Sequence, residues 1–133
     1  MFGYKDVELK YKDLWIFIGL CMVGFVVYSS LTSSPVTVGV KFSDKFMHIV
    51  GYFGLMGWFI QIFHQQKARY ILAGLFVAMG IGLEFLQEWG GVRYYEVNDM
   101  FANTLGVLIA WSLVKTPFPK LLSWFEFNIL KSN

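Results

Sequence analysis

A single cysteine, Cys21, occurs in 133 residues. No disulfide can therefore close within the chain, and no CxxC pair offers thiolates to a structural metal. Cys21 lies in the middle of an apolar run, where its default role is that of a small buried hydrophobe. A basic stripe is also missing. The net charge is only +2, and Lys and Arg are scattered among apolar stretches, which excludes the electrostatic footprint of a nucleic-acid-binding surface. There is no HExxH, GxxxxGK[ST] or GxSxG, so the local signatures of zinc proteases, phosphate-binding loops and nucleophile elbows are absent. No internal repeat or low-complexity tract divides the chain, and nothing in it calls for a cofactor.

What is present is apolar: 56% of residues are hydrophobic and 20% aromatic, well above the roughly half-apolar composition of a soluble globule. Four stretches approach the ~20 residues that carry a helix across ~30 Å of hydrocarbon: 14–32, 46–63, 70–87 and 98–114. They predict one domain over 1–133, an all-α membrane protein built as a four-transmembrane-helix bundle. A Ser/Thr/Pro/Gly loop (33–43), a short polar link (64–69) and a Gly-containing polar loop (88–97) join them, and the short connections make neighbouring helices antiparallel. "TPFPK" stops the fourth, because proline lacks the amide a continuing helix needs. The following "LLSWFEFNIL" reads as a helix lying in the membrane interface. The first apolar run is longer than a usual signal-peptide core and ends in no clear small-x-small site, so it is expected to remain as a span.

Charge then orients the spans. With the N-terminus in the cytoplasm, Lys5, Lys10, Lys12, Lys67, Arg69, Lys115, Lys120 and Lys131 fall inside and only Lys41, Lys45 and Arg93 outside. That is the asymmetry of the positive-inside rule. The expected location is a bacterial inner (cytoplasmic) membrane with both termini cytoplasmic. His64, in the inner link, reads as a solvated loop residue.

The start of the second stretch, the end of the third and the start of the fourth share the outer side, and each carries polar side chains. Asp44, His48 and Tyr52 recur every four residues and so share a helix face. Glu84 and Gln87 are three apart, Asp99 and Asn103 four apart. Glu84 lies inside the apolar run "AMGIGLEFL", where a carboxylate facing lipid would cost several kcal/mol and normally turns inward to a partner. His48, Lys45 and Arg93 are the candidate partners. Small residues on the third stretch (Ala73, Gly74, Ala78, Gly80, Gly82) and a row on the fourth (Ala102, Gly106, Ala110) allow close helix approach.

Taken together, "DKFMHIVGYF", "GLEFLQ", an arginine six residues after that glutamine, and "DMFANTLG" resemble the VanZ-like family of small bacterial membrane proteins. The resemblance covers Asp44 to Ala110, about half the chain. It implies a four-helix membrane domain whose shared residues are Asp44, Lys45, His48, Tyr52, Glu84, Gln87, Arg93, Asp99, Asn103 and Gly106. The family takes its name from a protein linked to resistance against the glycopeptide teicoplanin. Two positions depart from the family pattern: Gly91-Val92 stands where Pro-Gly often precedes the loop arginine, and Ala110 where a second glycine often follows Gly106. Resistance does not carry over with the resemblance, since no antibiotic-binding surface is legible here.

Glu84, His48 and Asp44 are the candidates for acid/base chemistry, with Asp44 orienting the His48 ring. Arg93, Gln87, Asp99, Asn103, Lys45 and Tyr52 are the candidates for holding a ligand, Arg93 through a bidentate grip on phosphate or carboxylate. Each has a plainer reading. Asp44 and Asp99 can cap helices, Gln87 and Asn103 can tie helices together, and Arg93 can pair with Glu88, Glu96 or Asp99. A metal held by His48, Glu84 and an aspartate has no ligand spacing to recommend it, so none is expected. Trp15, Trp89, Tyr94 and Tyr95 read as interface anchors. The expected partners are membrane lipids and a cell-envelope precursor or glycopeptide-related ligand. The expected function is to bind or transform such a component at the outer face, or, as a non-catalytic scaffold, to use the polar cluster as a structural lock.

Overall fold

A computed structural model describes residues 9–31, 41–90 and 97–130, and for 41–45 the backbone alone. The described residues are helical, with no strand among them. The helices are α1 (Lys12–Leu31), α2 (Lys41–Phe59), α3 (Gln66–Trp89), α4 (Val97–Ser112) and α5 (Leu121–Asn128). Short 3₁₀ turns at Leu113–Lys115 and Phe118–Lys120 connect the last two.

Three of these elements, α1, α3 and α4 with its 3₁₀ extension, are long and apolar enough to cross a membrane. The apolar part of α2, Phe46–Phe59, is shorter, although the whole helix is about 28 Å long at 1.5 Å per residue. The outer surface is apolar: Phe17, Phe25, Tyr28, Leu75 and Phe101 all point away from the bundle. Each would forfeit about 1.5–3 kcal/mol of burial in water, and lipid removes that cost. Cys21 belongs to this exposed face, contrary to the buried role expected of it. Helix α1 is apolar on all sides, so nothing in its pattern dictates which residues turn inward.

Helix α2 is central and touches α1, α3 and α4, most extensively α4. The small row Ala102, Gly106 and Ala110 is buried there. A methyl group at Gly106 would collide with the Ile49 carbonyl oxygen and stand 2.8 Å from the Phe53 amide nitrogen. The row therefore serves the α2–α4 crossing. On α3 only Ala73 and Gly80 of the expected small residues are buried, and Gly74 and Gly82 face open space.

Helix α2 begins earlier and ends earlier than the hydropathy suggests, at Phe59 and not Phe63. Side chains take over its last carbonyls. Gln61 Nε2 donates to the Gly57 carbonyl at 3.0 Å, and His64 Nε2 to the Gln61 carbonyl at 2.8 Å. Arg69, from the first turn of α3, donates through Nη2 to the Ile60 carbonyl at 2.8 Å and through Nε to the Phe63 carbonyl at 3.0 Å. A helix end needs such partners wherever water is scarce. His64 is thus only 8% exposed, not a solvated loop residue.

At the other terminus of the chain, "TPFPK" does break α4, and Phe118 N donates to Thr116 Oγ1 at 3.1 Å to shape the turn. Helix α5 folds back on the start of α1. Its buried Glu126 accepts hydrogen bonds from the amides of Lys10 at 2.7 Å and Tyr11 at 2.9 Å, and from Trp15 Nε1. Trp15 is consequently buried, with its carbonyl accepting from Trp58 Nε1 at 2.8 Å, which overturns its reading as an interface anchor. Trp89 is exposed as an anchor would be, and Tyr94 and Tyr95 lie outside the described residues.

Candidate functional site

The bundle has two chemically distinct ends. One gathers the start of α1, the α2–α3 link and the segment after α4, as the Glu126 and Trp15 contacts require. The other gathers the end of α1, the start of α2, the end of α3 and the start of α4, and here the expected polar residues meet.

The i, i+4 pair Asp99 and Asn103 on α4 faces His48 of α2. His48 Nδ1 lies 2.8 Å from Asn103 Oδ1, and Nε2 lies 3.6 Å from Asp99 Oδ2. With Asn103 presenting its oxygen, the first contact is a hydrogen bond only if Nδ1 carries the proton. The ring then turns Nε2 toward the Asp99 carboxylate. Glu84 reaches the same spot from α3. Ligand atoms of His48, Glu84 and Asp99 all lie within 4.8 Å of one another. The two carboxylates are 1% and 0% exposed.

Room for this convergence is made by Gly80, one turn before Glu84 on the same face of α3. A methyl there would stand 2.9 Å from Asn103 Nδ2. Gly106, one turn beyond Asn103, sets the α2–α4 distance that lets His48 reach across. Asp99 sits in the first turn of α4, where the helix dipole favours its negative charge.

Tyr52 and Gln87 complete the group. The Glu84 charge acts on the Tyr52 hydroxyl. Gln87 Nε2 donates to the Ser30 carbonyl at 2.6 Å, attaching the end of α1 to α3. Among the described residues, Tyr52 Oη and Gln87 Oε1 are buried polar atoms without a hydrogen-bond partner. Such orphaned atoms are rare and costly in finished interiors.

A cleft of about 550 Å³ opens between α1 and α2 and leads to these groups. Ile18, Met22, Phe25 and Leu55 make its sides, and His48, Tyr52 and Gln87 its polar part. It is a mostly apolar trough with a polar end, the shape that suits an amphiphile.

Six of the ten residues that the resemblance singles out are thus brought together: His48, Tyr52, Glu84, Gln87, Asp99 and Asn103. Gly106 serves by spacing. Asp44 and Lys45 belong to the first turns of α2, with side chains outside the described residues. Arg93 and the Gly91-Val92 departure lie outside them altogether. His48, Glu84 and Asp99 form a compact one-histidine, two-carboxylate set that a single cation could bridge, the set that the sequence offered without any ligand spacing to mark it, because its members come from three helices. Sequence reasoning also missed Glu126 and Arg69 as structural groups; a lone acid in "SWFEFN" was the available signal for the first.

Family models, curated proteins and solved structures were compared with the chain, and none matches.

Proposed function

We propose that this chain is a VanZ-like membrane protein whose four long helices all cross the bilayer, and that its polar cluster binds and chemically alters an amphiphilic cell-envelope component. The basic residues orient the cluster toward the outer face, with both termini in the cytoplasm. The observation that carries the reading is the α1–α2 cleft, apolar along its length and ending at His48, Tyr52 and Gln87 with two buried polar atoms unpaired. A hydrocarbon chain would occupy the trough, and its headgroup would satisfy Tyr52 Oη and Gln87 Oε1. Glu84 and His48, with charges of both signs available in a low-dielectric site, would move protons to and from that headgroup. Arg93 would hold an anionic group from the neighbouring loop.

The test uses purified protein in nanodiscs with envelope lipids, lipid-linked precursors and muropeptides as substrates. Glu84→Gln and His48→Ala should abolish turnover by about a hundredfold or more. Turnover unchanged in both would remove the assignment.

A second reading, a binding or scaffold protein, is favoured by the use the cluster already makes of its donors. His48 to Asn103 and Gln87 to Ser30 are both ties between helices, and such ties stabilise membrane bundles without chemistry. On this reading a headgroup or partner binds, Arg93→Ala weakens the binding, and no product forms.

A further inference from the structure

The opposite end of the bundle holds a second cavity, of about 700 Å³, lined by His64, Arg69, Tyr70, Trp111, Lys115 and Lys120 among others. Among the described residues, no carboxylate lines it. Arg69 is 8% exposed, and its hydrogen bonds run to two backbone carbonyls and to His64 Nδ1 at 3.2 Å, all neutral acceptors. Lys120 and Lys12 also act on His64 from the 3₁₀ turn after α4 and from α1. Cations from three parts of the chain therefore surround one imidazole, which accepts from Arg69 through Nδ1 and donates through Nε2 to Gln61, and so is neutral. A buried guanidinium with neutral partners only is an expensive arrangement, offset when an anion enters. Tyr70 and Trp111, edge to face at 4.9 Å, form an aromatic wall beside these charges.

We propose that this cavity binds a phosphate group, with Arg69 as the fixed buried charge and Lys115 and Lys120 closing on the outer oxygens. The aromatic wall would accept the carbon skeleton attached to it. Two sources share this chemistry: the headgroup of an anionic phospholipid in the leaflet at this end, and a free phosphate. The site is independent of the cluster around His48 and goes beyond the function proposed from it.

The experiment uses the full chain in detergent, titrated with phosphatidylglycerol, with phosphatidylcholine and with inorganic phosphate, and read by native mass spectrometry for retained lipid and by thermal unfolding. Phosphatidylglycerol should be retained over phosphatidylcholine by about tenfold or more, and the preference should vanish in Lys115→Gln/Lys120→Gln. Both side chains line the cavity, Lys115 at an exposed position; the helix content and unfolding of the double variant are matched to wild type before its lipid preference is read, and Arg69→Gln serves as a second variant under the same condition. Stabilisation by inorganic phosphate alone, lost in the lysine variant, identifies a soluble phosphate as the source. Equal retention of both lipids with no response to phosphate, or a preference that survives the double substitution, overturns the site.

Discussion

His48 of α2 and Asn103 of α4 are joined through Nδ1 and Oδ1 at 2.8 Å. This contact ties the two most closely packed helices at the level of the cluster. Hydrogen bonds between membrane helices contribute about 0.5–1.5 kcal/mol each. A double-mutant cycle with His48→Ala and Asn103→Ala, followed by denaturant unfolding in detergent, should return a coupling of about that size. A coupling near zero would mean that the two side chains are neighbours without being partners.

Tyr52→Phe separates fold from function. The hydroxyl is buried without a hydrogen-bond partner, so its removal should leave stability unchanged or raise it by about 1 kcal/mol. If a ligand satisfies that atom, ligand affinity should fall by roughly tenfold in the same variant. Reduced stability with undiminished binding would reverse both expectations.

Gly106→Ala should destabilise by about 1–3 kcal/mol, because the new methyl meets the α2 backbone, which cannot turn aside as a side chain can. Gly74→Ala is the control. Nothing lies within 4 Å of that position, and alanine is the better helix former by up to about 1 kcal/mol. Thermal unfolding of the pair should move in opposite directions.

Acidification should weaken the end of the bundle built around His64. Burial holds this imidazole below the ordinary histidine range, and the charges of Arg69, Lys120 and Lys12 lower it further, against an opposing hydrogen bond to the Gln61 carbonyl. A histidine whose folded pKa is depressed contributes stability that is complete above its unfolded value, near 6.5, and is lost as pH falls through the lowered folded value. Unfolding measured between about pH 8 and pH 5 should slope in wild type and flatten in His64→Gln. A phosphate bound in the cavity proposed at this end would offset those positive charges and bring the folded value back toward the ordinary one, so saturating phosphate should flatten the slope.

Glu126→Ala removes the acceptor for the amides of Lys10 and Tyr11 and for Trp15 Nε1. Leaving these donors unpaired should cost about 3 kcal/mol. The loss should be visible as changed tryptophan fluorescence and as faster proteolysis near residue 10. An unchanged spectrum would mean that α5 does not hold the start of α1.

Hydropathy made the helical class and the long apolar helices legible, because a long run of apolar residues that is to lie in hydrocarbon needs a helix to satisfy its backbone. The polar side chains of α2, α3 and α4 were legible too: His48, Glu84, Asp99 and Asn103 recur at helical spacing on segments whose antiparallel order brings their ends to one level. Helix ends were not, because they depend on distant side chains. Nothing local to Phe59 says that Arg69 will take the carbonyls beyond it, and apolar content continues to Phe63 regardless. Trp15 and Cys21 were misjudged for a related reason. Helix α1 is apolar all round, so its inward face is chosen by partners, Glu126 and Trp58, that lie more than forty residues away.

Helix α1 is gripped at one end by Trp15 and Glu126, whereas among the described residues its far end is tied to the rest by the Gln87 bond to the Ser30 carbonyl. It buries only Trp15 and Gly19. Were the Gln87 bond released, a rod fastened in this way would open at its far end like a door on its hinge. If the chain takes up an amphiphile as proposed, the hydrocarbon tail would slip in sideways past α1 and arrive at His48 without ever meeting bulk water.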